Sequence, residues 1–138
     1  ESHGLYRSIV EASEPQVEET PPHAVASAAA GLAQAIHAAA IVAFTSSGTT
    51  AARIARKRPA LPMLAMTPDR AVCRRLCLLW SAHSILSDEV GSYEEMVARA
   101  MAACVDENFA TKGQQIVVVS GIPFGQTGST NNIRVVAV

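Results

Sequence analysis

Apolar residues along the chain alternate between two periods. From residue 21 to about 38, Val25, Ala29, Leu32 and Ile36 recur at spacings of four, three and four, the signature of one helical face. Thr20 with Pro21 and Pro22 supplies an N-cap and first-turn prolines. The many alanines in this stretch predict close packing on a flat surface such as a sheet. Residues 41–44 then form a short apolar run without alternation, as in a parallel strand covered on both faces. A helix to about Arg58 follows, ended by Pro59, and residues 61–66 supply a second buried strand. Thr67, Pro68 and Asp69 cap a third helix with the stripe Val72, Leu76, Leu79 and Trp80. Residues 84–88 read as a weaker strand. Ser92 and Glu95 form a capping box opening a fourth helix, whose apolar face is Val97, Met101, Cys104 and Val105 and whose end is placed at Lys112 and Gly113. Residues 116–119 are the most strand-like run, and 133–138 make a final strand.

Strands alternating with helices imply right-handed crossovers and a sheet with helices on both faces, so the expected fold is a three-layer α/β/α sandwich around a mostly parallel sheet. Two loops rich in small polar residues interrupt it. The first, "TSSGTT", is Thr45, Ser46, Ser47, Gly48, Thr49 and Thr50; the second, "SGIPFGQTGSTNN", contains Gly125, Gln126, Thr127, Gly128, Ser129 and Thr130. Each follows the C-terminal end of an apolar strand, the side on which open α/β sheets place ligands. If strands one and four are neighbours, both loops line one crevice.

Composition narrows the classes of function. The 138 residues suffice for one domain, and 11 Lys plus Arg against 12 Asp plus Glu leave a formal charge of −1, with no overall basic field for nucleic acid or an anionic bilayer. The charge is uneven: Glu1, Glu11, Glu14, Glu18 and Glu19 crowd the start, while Arg53, Arg56, Lys57 and Arg58 follow the first loop. Those four cations complement the C-terminal end of their helix, and Arg53 is also placed to lean toward a bound anion. No apolar run reaches the roughly 18 residues of a membrane span. Cys73, Cys77 and Cys104 are odd in number and lie in helix-like segments, with no signal pattern at the N-terminus. A reduced, cytoplasmic setting without disulfides is expected. The polar, Glu-rich residues 1–20 read as a connecting segment, leaving 21–138 as one domain.

The first loop has the parts of an anion cradle. Ser47 is placed to cap the helix and Gly48 to admit a ligand close to the backbone, while the N–H groups of Gly48, Thr49 and Thr50 leave the helix start with its partial positive charge behind them. The competing reading is a strand-to-helix turn that satisfies its own donors, since Ser, Thr and Gly are ordinary turn residues. Neither G-x-x-x-x-G-K-[ST] nor G-x-G-x-x-G occurs. Cys73 and Cys77 lack a second ligand pair with metal spacing and read as packed helix-face thiols. His3, His23, His37 and His83 are scattered, with no H-E-x-x-H motif and no nucleophile elbow near them.

Three segments together, "FTSSGTTAARIARKRP" (44–59), "LPMLAMTPDRAVCRRLCLLWSAH" (61–83) and "GIPFGQTGSTNNIRVVAV" (121–138), resemble the C-terminal domain of the pyruvate kinases in order and spacing. The resemblance runs from about Pro22 to the last residue. It implies five strands in the order 3-2-1-4-5 with the last antiparallel. It also implies a regulatory role, with an activator's phosphate on residues 45–50 and the loop around Gly125–Thr130 closing over the rest of the ligand. By the same resemblance, the enzyme's transfer of a phosphoryl group from phosphoenolpyruvate to ADP belongs to a (β/α)₈ barrel that precedes Glu1. The catalytic lysine and the magnesium and potassium sites go with that barrel. The terminal strand is expected to pair with its two-fold mate in a tetramer. Members that bind a sugar bisphosphate hold its second phosphate with basic or aromatic groups, whereas residues 121–132 contain no Lys, Arg or Trp. A sugar monophosphate or nucleoside monophosphate is therefore the expected effector.

Two other functions compete with this one. A free-standing small enzyme acting on a phosphorylated metabolite would need a nucleophile or base in the crevice, where the sequence offers only hydroxyls. A purely structural subunit-contact domain would leave the cradle empty.

Overall fold

The computed structural model describes residues 20–124 and 130–138. Helix α1 (Pro21–Ala35) leads into β1 (Ala40–Phe44), α2 (Thr49–Arg56), β2 (Met63–Thr67) and α3 (Arg70–Leu76). Then come β3 (Ala82–Leu86), α4 (Tyr93–Asp106), β4 (Gln115–Gly121) and β5 (Thr130–Ala137). The five strands form one sheet in the order β3-β2-β1-β4-β5, with β5 antiparallel to β4 and every other pair parallel. Both the three-layer expectation and the strand order hold.

Alternation along the central strands decides which helix each side chain meets. Ile41 and Ala43 of β1, with Val117 and Val119 of β4, face the alanines of α1 (Ala26, Ala29, Ala33), Ile54 of α2 and Leu76 of α3. Ala40 and Val42, with Ile116 and Val118, face Met96, Ala100 and Cys104 of α4. Three helices thus cover one face and α4 covers the other. The small alanine side chains let α1 lie close to the sheet, as its composition predicts. Each fully buried Ile, Val, Leu or Met removes enough apolar surface from water to contribute about 1.5–3 kcal/mol.

Two details of α4 differ from expectation. Its buried residues are Met96, Ala100 and Cys104, while Val105 is 47% exposed. The face is therefore turned by one residue at its start, where Met96 rather than Val97 is fully enclosed. The helix also stops at Asp106 rather than near Lys112 and Gly113. Asn108 takes φ 59° there, and the Phe109 and Asn108 N–H groups donate to the carbonyls of Cys104 and Val105 at 2.9 and 3.1 Å. Asn tolerates this left-handed conformation, so a Schellman ending needs no glycine. Helix α1 ends in the same way at His37 (φ 52°), with Ala38 N–H donating to the Ala33 carbonyl. The capping box is also altered: Ser92 accepts from the Glu95 N–H, but the Glu95 carboxylate accepts from Gly91.

The cysteines are not alike. Cys77 is exposed, contrary to the packed-thiol reading, and its Sγ lies 3.0 Å from Ser84 Oγ. Cys104 is fully buried, and burial pushes its thiol from 9.0 up to about 11. The raised value gives stability that is complete below pH 9.0 and lost as pH rises to about 11, because only the unfolded thiol ionises in that window. Denaturant melts between pH 8 and pH 11 are expected to show on the order of 2 kcal/mol more loss for the wild type than for Cys104→Ala. Equal losses would refute this account.

Candidate functional site

The sheet order puts β1 between β2 and β4, so chain connections leave in opposite directions at the β1–β4 boundary. Such a switch point leaves a crevice beyond the C-terminal strand ends. A cavity of about 300 Å³ opens there. Its first wall is the β1–α2 turn, contributing Thr45, Ser46, Ser47 and Thr50. A second comes from β4 and the start of β5, with Ser120, Gly121 and Thr130. The third is the β3–α4 loop, with Ser87, Asp88, Glu89 and Val90, and the apolar floor includes Phe44, Met66 and Phe124.

The turn is built by Gly48. It is the N-cap of α2, with φ 91°, and its N–H donates to Thr45 Oγ1 at 2.8 Å. The expectation that Ser47 caps the helix is therefore corrected: no side chain caps α2, and Ser47 Oγ instead lies 2.7 Å from Thr49 Oγ1. The Gly48 N–H is likewise already used. The first N–H to return to the turn is that of Ala52, to the Gly48 carbonyl. Thr49, Thr50 and Ala51 therefore carry the first-turn donors that no helical carbonyl can reach. With the helix dipole behind them, they make this end of the cavity favourable to an anion.

The two small-residue loops do meet. Thr50 Oγ1 and Thr130 Oγ1, both buried, lie 2.6 Å apart and share a hydrogen bond across 80 positions of sequence. Arg53 Nη1 stands 3.5 Å from the same Thr130 hydroxyl, bringing positive charge behind this contact. Asn131 closes the base of the second loop, its side-chain amide accepting from the Ile122 N–H and donating to the Ile122 carbonyl at 2.8 and 2.6 Å. Of the predicted closing residues, Thr130 lines the cavity as the first residue of β5, whereas Gly125, Gln126, Thr127, Gly128 and Ser129 lie outside the described residues. Gly48 and Thr49 shape the turn without lining the cavity.

Sequence reasoning missed the third wall. The loop after β3 is polar and acidic, and the order 3-2-1-4-5 carries it to the same side as the other two. It is held firmly: Ser87 N–H donates to the Thr67 carbonyl at 2.9 Å, and Arg99 bonds Ser87 Oγ and the Asp88 carbonyl while pairing with Glu95 at 2.6 Å. Ser120 was also missed. It is 1% exposed, and its hydroxyl finds no partner among the described residues. Among the described residues, no three His, Cys, Asp or Glu side chains converge as a metal site requires. No helix among them is long and apolar enough to cross a membrane.

Comparison with known proteins agrees with this architecture. A family model described as pyruvate kinase, alpha/beta domain, matches residues 23–136. The chain belongs to this family. Two pyruvate kinases of Agrobacterium vitis are 56% and 51% identical to it over 98% and 100% of its length. A pyruvate kinase of Methylorubrum extorquens is 38% identical over 98%. The chain spans only 28%, 29% and 28% of those three proteins.

Proposed function

We propose that this chain is the effector-binding and subunit-contact domain of a pyruvate kinase, taking the phosphate of a sugar monophosphate or nucleoside monophosphate on residues 45–50. The observation that carries the reading is the cavity at the β1–β4 switch point, walled by Thr45, Ser46, Ser47 and Thr50 at the start of α2. The longer enzyme transfers a phosphoryl group from phosphoenolpyruvate to ADP in glycolysis, in the cytoplasm. By the family resemblance, that enzyme's magnesium and potassium sites belong to its barrel domain. Residues 1–20 serve as the connection to the rest of that enzyme, and all but Thr20 lie outside the described residues. Gly125–Thr130 close over the ligand. Phosphoryl transfer by the chain alone is excluded on this reading.

Assembly fits the same picture. β5 is a sheet edge whose Val135 and Val136 are half-buried, and an apolar edge calls for a cover. Pairing with the same strand of a second copy across a two-fold axis supplies one and leads toward the tetramer.

A second reading has an observation in its favour. Thr45 accepts the Gly48 N–H, and Ser47 bonds Thr49, so the turn satisfies part of itself without a ligand. Titration calorimetry with monophosphate esters decides between them. Binding in the micromolar to millimolar range, or about 4–8 kcal/mol, is expected. No heat with any ester would leave the self-capped turn and a structural domain.

A further inference from the structure

The loop between β3 and α4, residues 87–92, is fastened by two side chains that do not themselves line the cavity. Glu95 and Arg99 stand one turn apart on α4, with Arg99 Nη2 donating to Glu95 Oε1 at 2.6 Å. Each has a second end turned onto the loop. Arg99 Nη1 donates to Ser87 Oγ at 3.3 Å and to the Asp88 carbonyl, while Glu95 Oε2 accepts from the Gly91 N–H at 2.8 Å. The Glu95 N–H donates to the Ser92 hydroxyl at 3.1 Å, and the Ser87 N–H ties the loop to the end of β2 through the Thr67 carbonyl. Glu89 and Val90 are thus suspended between two fastened ends, and Val90 also packs on the core beneath α4. Ser87, Asp88, Glu89 and Val90 are what this loop gives to the cavity lining.

We infer that Glu95 and Arg99 are a positioning pair that holds this wall of the crevice in its ligand-ready shape before any ligand arrives. A pair four positions apart on an exposed helix surface adds little to stability by itself, so the helix alone gives little reason to fix two long side chains. What sets the pair apart is where its remaining groups go. In an ordinary capping box the carboxylate at the third helical position returns to the N-cap N–H. Here Arg99 holds one Glu95 oxygen, and the other reaches one residue further back, to Gly91. The planar guanidinium serves Ser87, Asp88 and Glu95 together, a fork that the point charge of a lysine does not reproduce. A wall ordered in advance need not be ordered at binding, and this raises affinity. The role rests on the effector-site reading above and places two of its determinants outside the cavity.

The test compares the wild-type full chain with Arg99→Ala and Arg99→Lys by amide hydrogen exchange, thermal melting, and calorimetry with glucose 6-phosphate and adenosine monophosphate. In Arg99→Ala, exchange across residues 87–92 is expected to quicken at least tenfold in the ligand-free protein. The ester that binds the wild type should bind this variant about tenfold more weakly, with the melting temperature lowered by no more than a degree or two. Arg99→Lys keeps the charge pair with Glu95, so it would rescue a role confined to the helix surface. It should restore the melting temperature but neither the slow exchange nor the affinity. If exchange across 87–92 is unchanged in Arg99→Ala, or if Arg99→Lys behaves as wild type throughout, the positioning role is refuted. If exchange quickens while affinity holds, the loop does not limit binding, and the inference fails while the phosphate cradle at α2 stands. If neither ester binds the wild type, the effector reading is refuted and the affinity role falls with it, while the exchange comparison still decides whether the pair fastens the loop.

Discussion

Ser46→Asp is expected to weaken binding of any monophosphate ester by at least 100-fold while leaving the melting temperature within a degree or two. Ser46 is exposed and lines the cavity beside the start of α2, so a carboxylate there is well hydrated when the site is empty. Bound phosphate changes that. At roughly 5 Å and an effective dielectric constant near 20, each pair of unit charges repels by about 3 kcal/mol. A dianion doubles the interaction, and solvent screening reduces it, leaving a loss well above the ~2.7 kcal/mol of a 100-fold change. Thr49→Asp is a useful comparison, because Thr49 belongs to the turn but not to the cavity wall. It should weaken binding less, and as an acidic residue at the first helical position it should not destabilise α2. Calorimetry showing undiminished binding to Ser46→Asp would remove the phosphate from this turn.

Gly48→Val should cost about 3 kcal/mol of stability. The backbone there has φ 91°, which a β-branched residue rarely adopts, and an added Cβ meets Leu76 Cδ2 and Val72 Cγ1 at 3.3 Å each. The first effect costs about 1–2 kcal/mol and crowding of a packed contact about 1–3 kcal/mol. Gly48→Ala carries the φ strain with less crowding and should fall between Val and wild type. Gly31 is the internal control: it lies exposed within α1 with nothing within 4 Å of its added Cβ. Gly31→Ala should stabilise by about 0.5–1 kcal/mol. Thermal melts of the three variants check the order. A Gly48→Val protein melting with the wild type would mean that the turn rearranges freely.

Much of this architecture is local information. The unalternating runs at β1, β2 and β4 report strands buried on both faces, and the Asp69 cap of α3 holds in the structure, its Oδ1 accepting from the Val72 N–H at 3.0 Å. Both depend on side chains only a few positions apart, which is why periodicity and capping chemistry expose them. Helix ends were less legible because Asn108 and His37 adopt left-handed conformations that glycine would have announced.

The candidate site divides along the same line. Residues 45–50 were visible because an anion cradle is made by consecutive residues at one helix start. Their roles were not, since whether Ser47 caps α2 or bonds Thr49 depends on the conformation Gly48 imposes. The family resemblance supplied the strand order, and the meeting of both loops follows from it. Only the tertiary structure brought Thr50 to Thr130, set Asp88 and Glu89 in the cavity lining, and put Ser120 there with a hydroxyl that has no partner among the described residues. These residues are joined by sheet topology over tens of positions. No local period encodes such a contact, because it depends on where crossover connections bring the strand ends together in space.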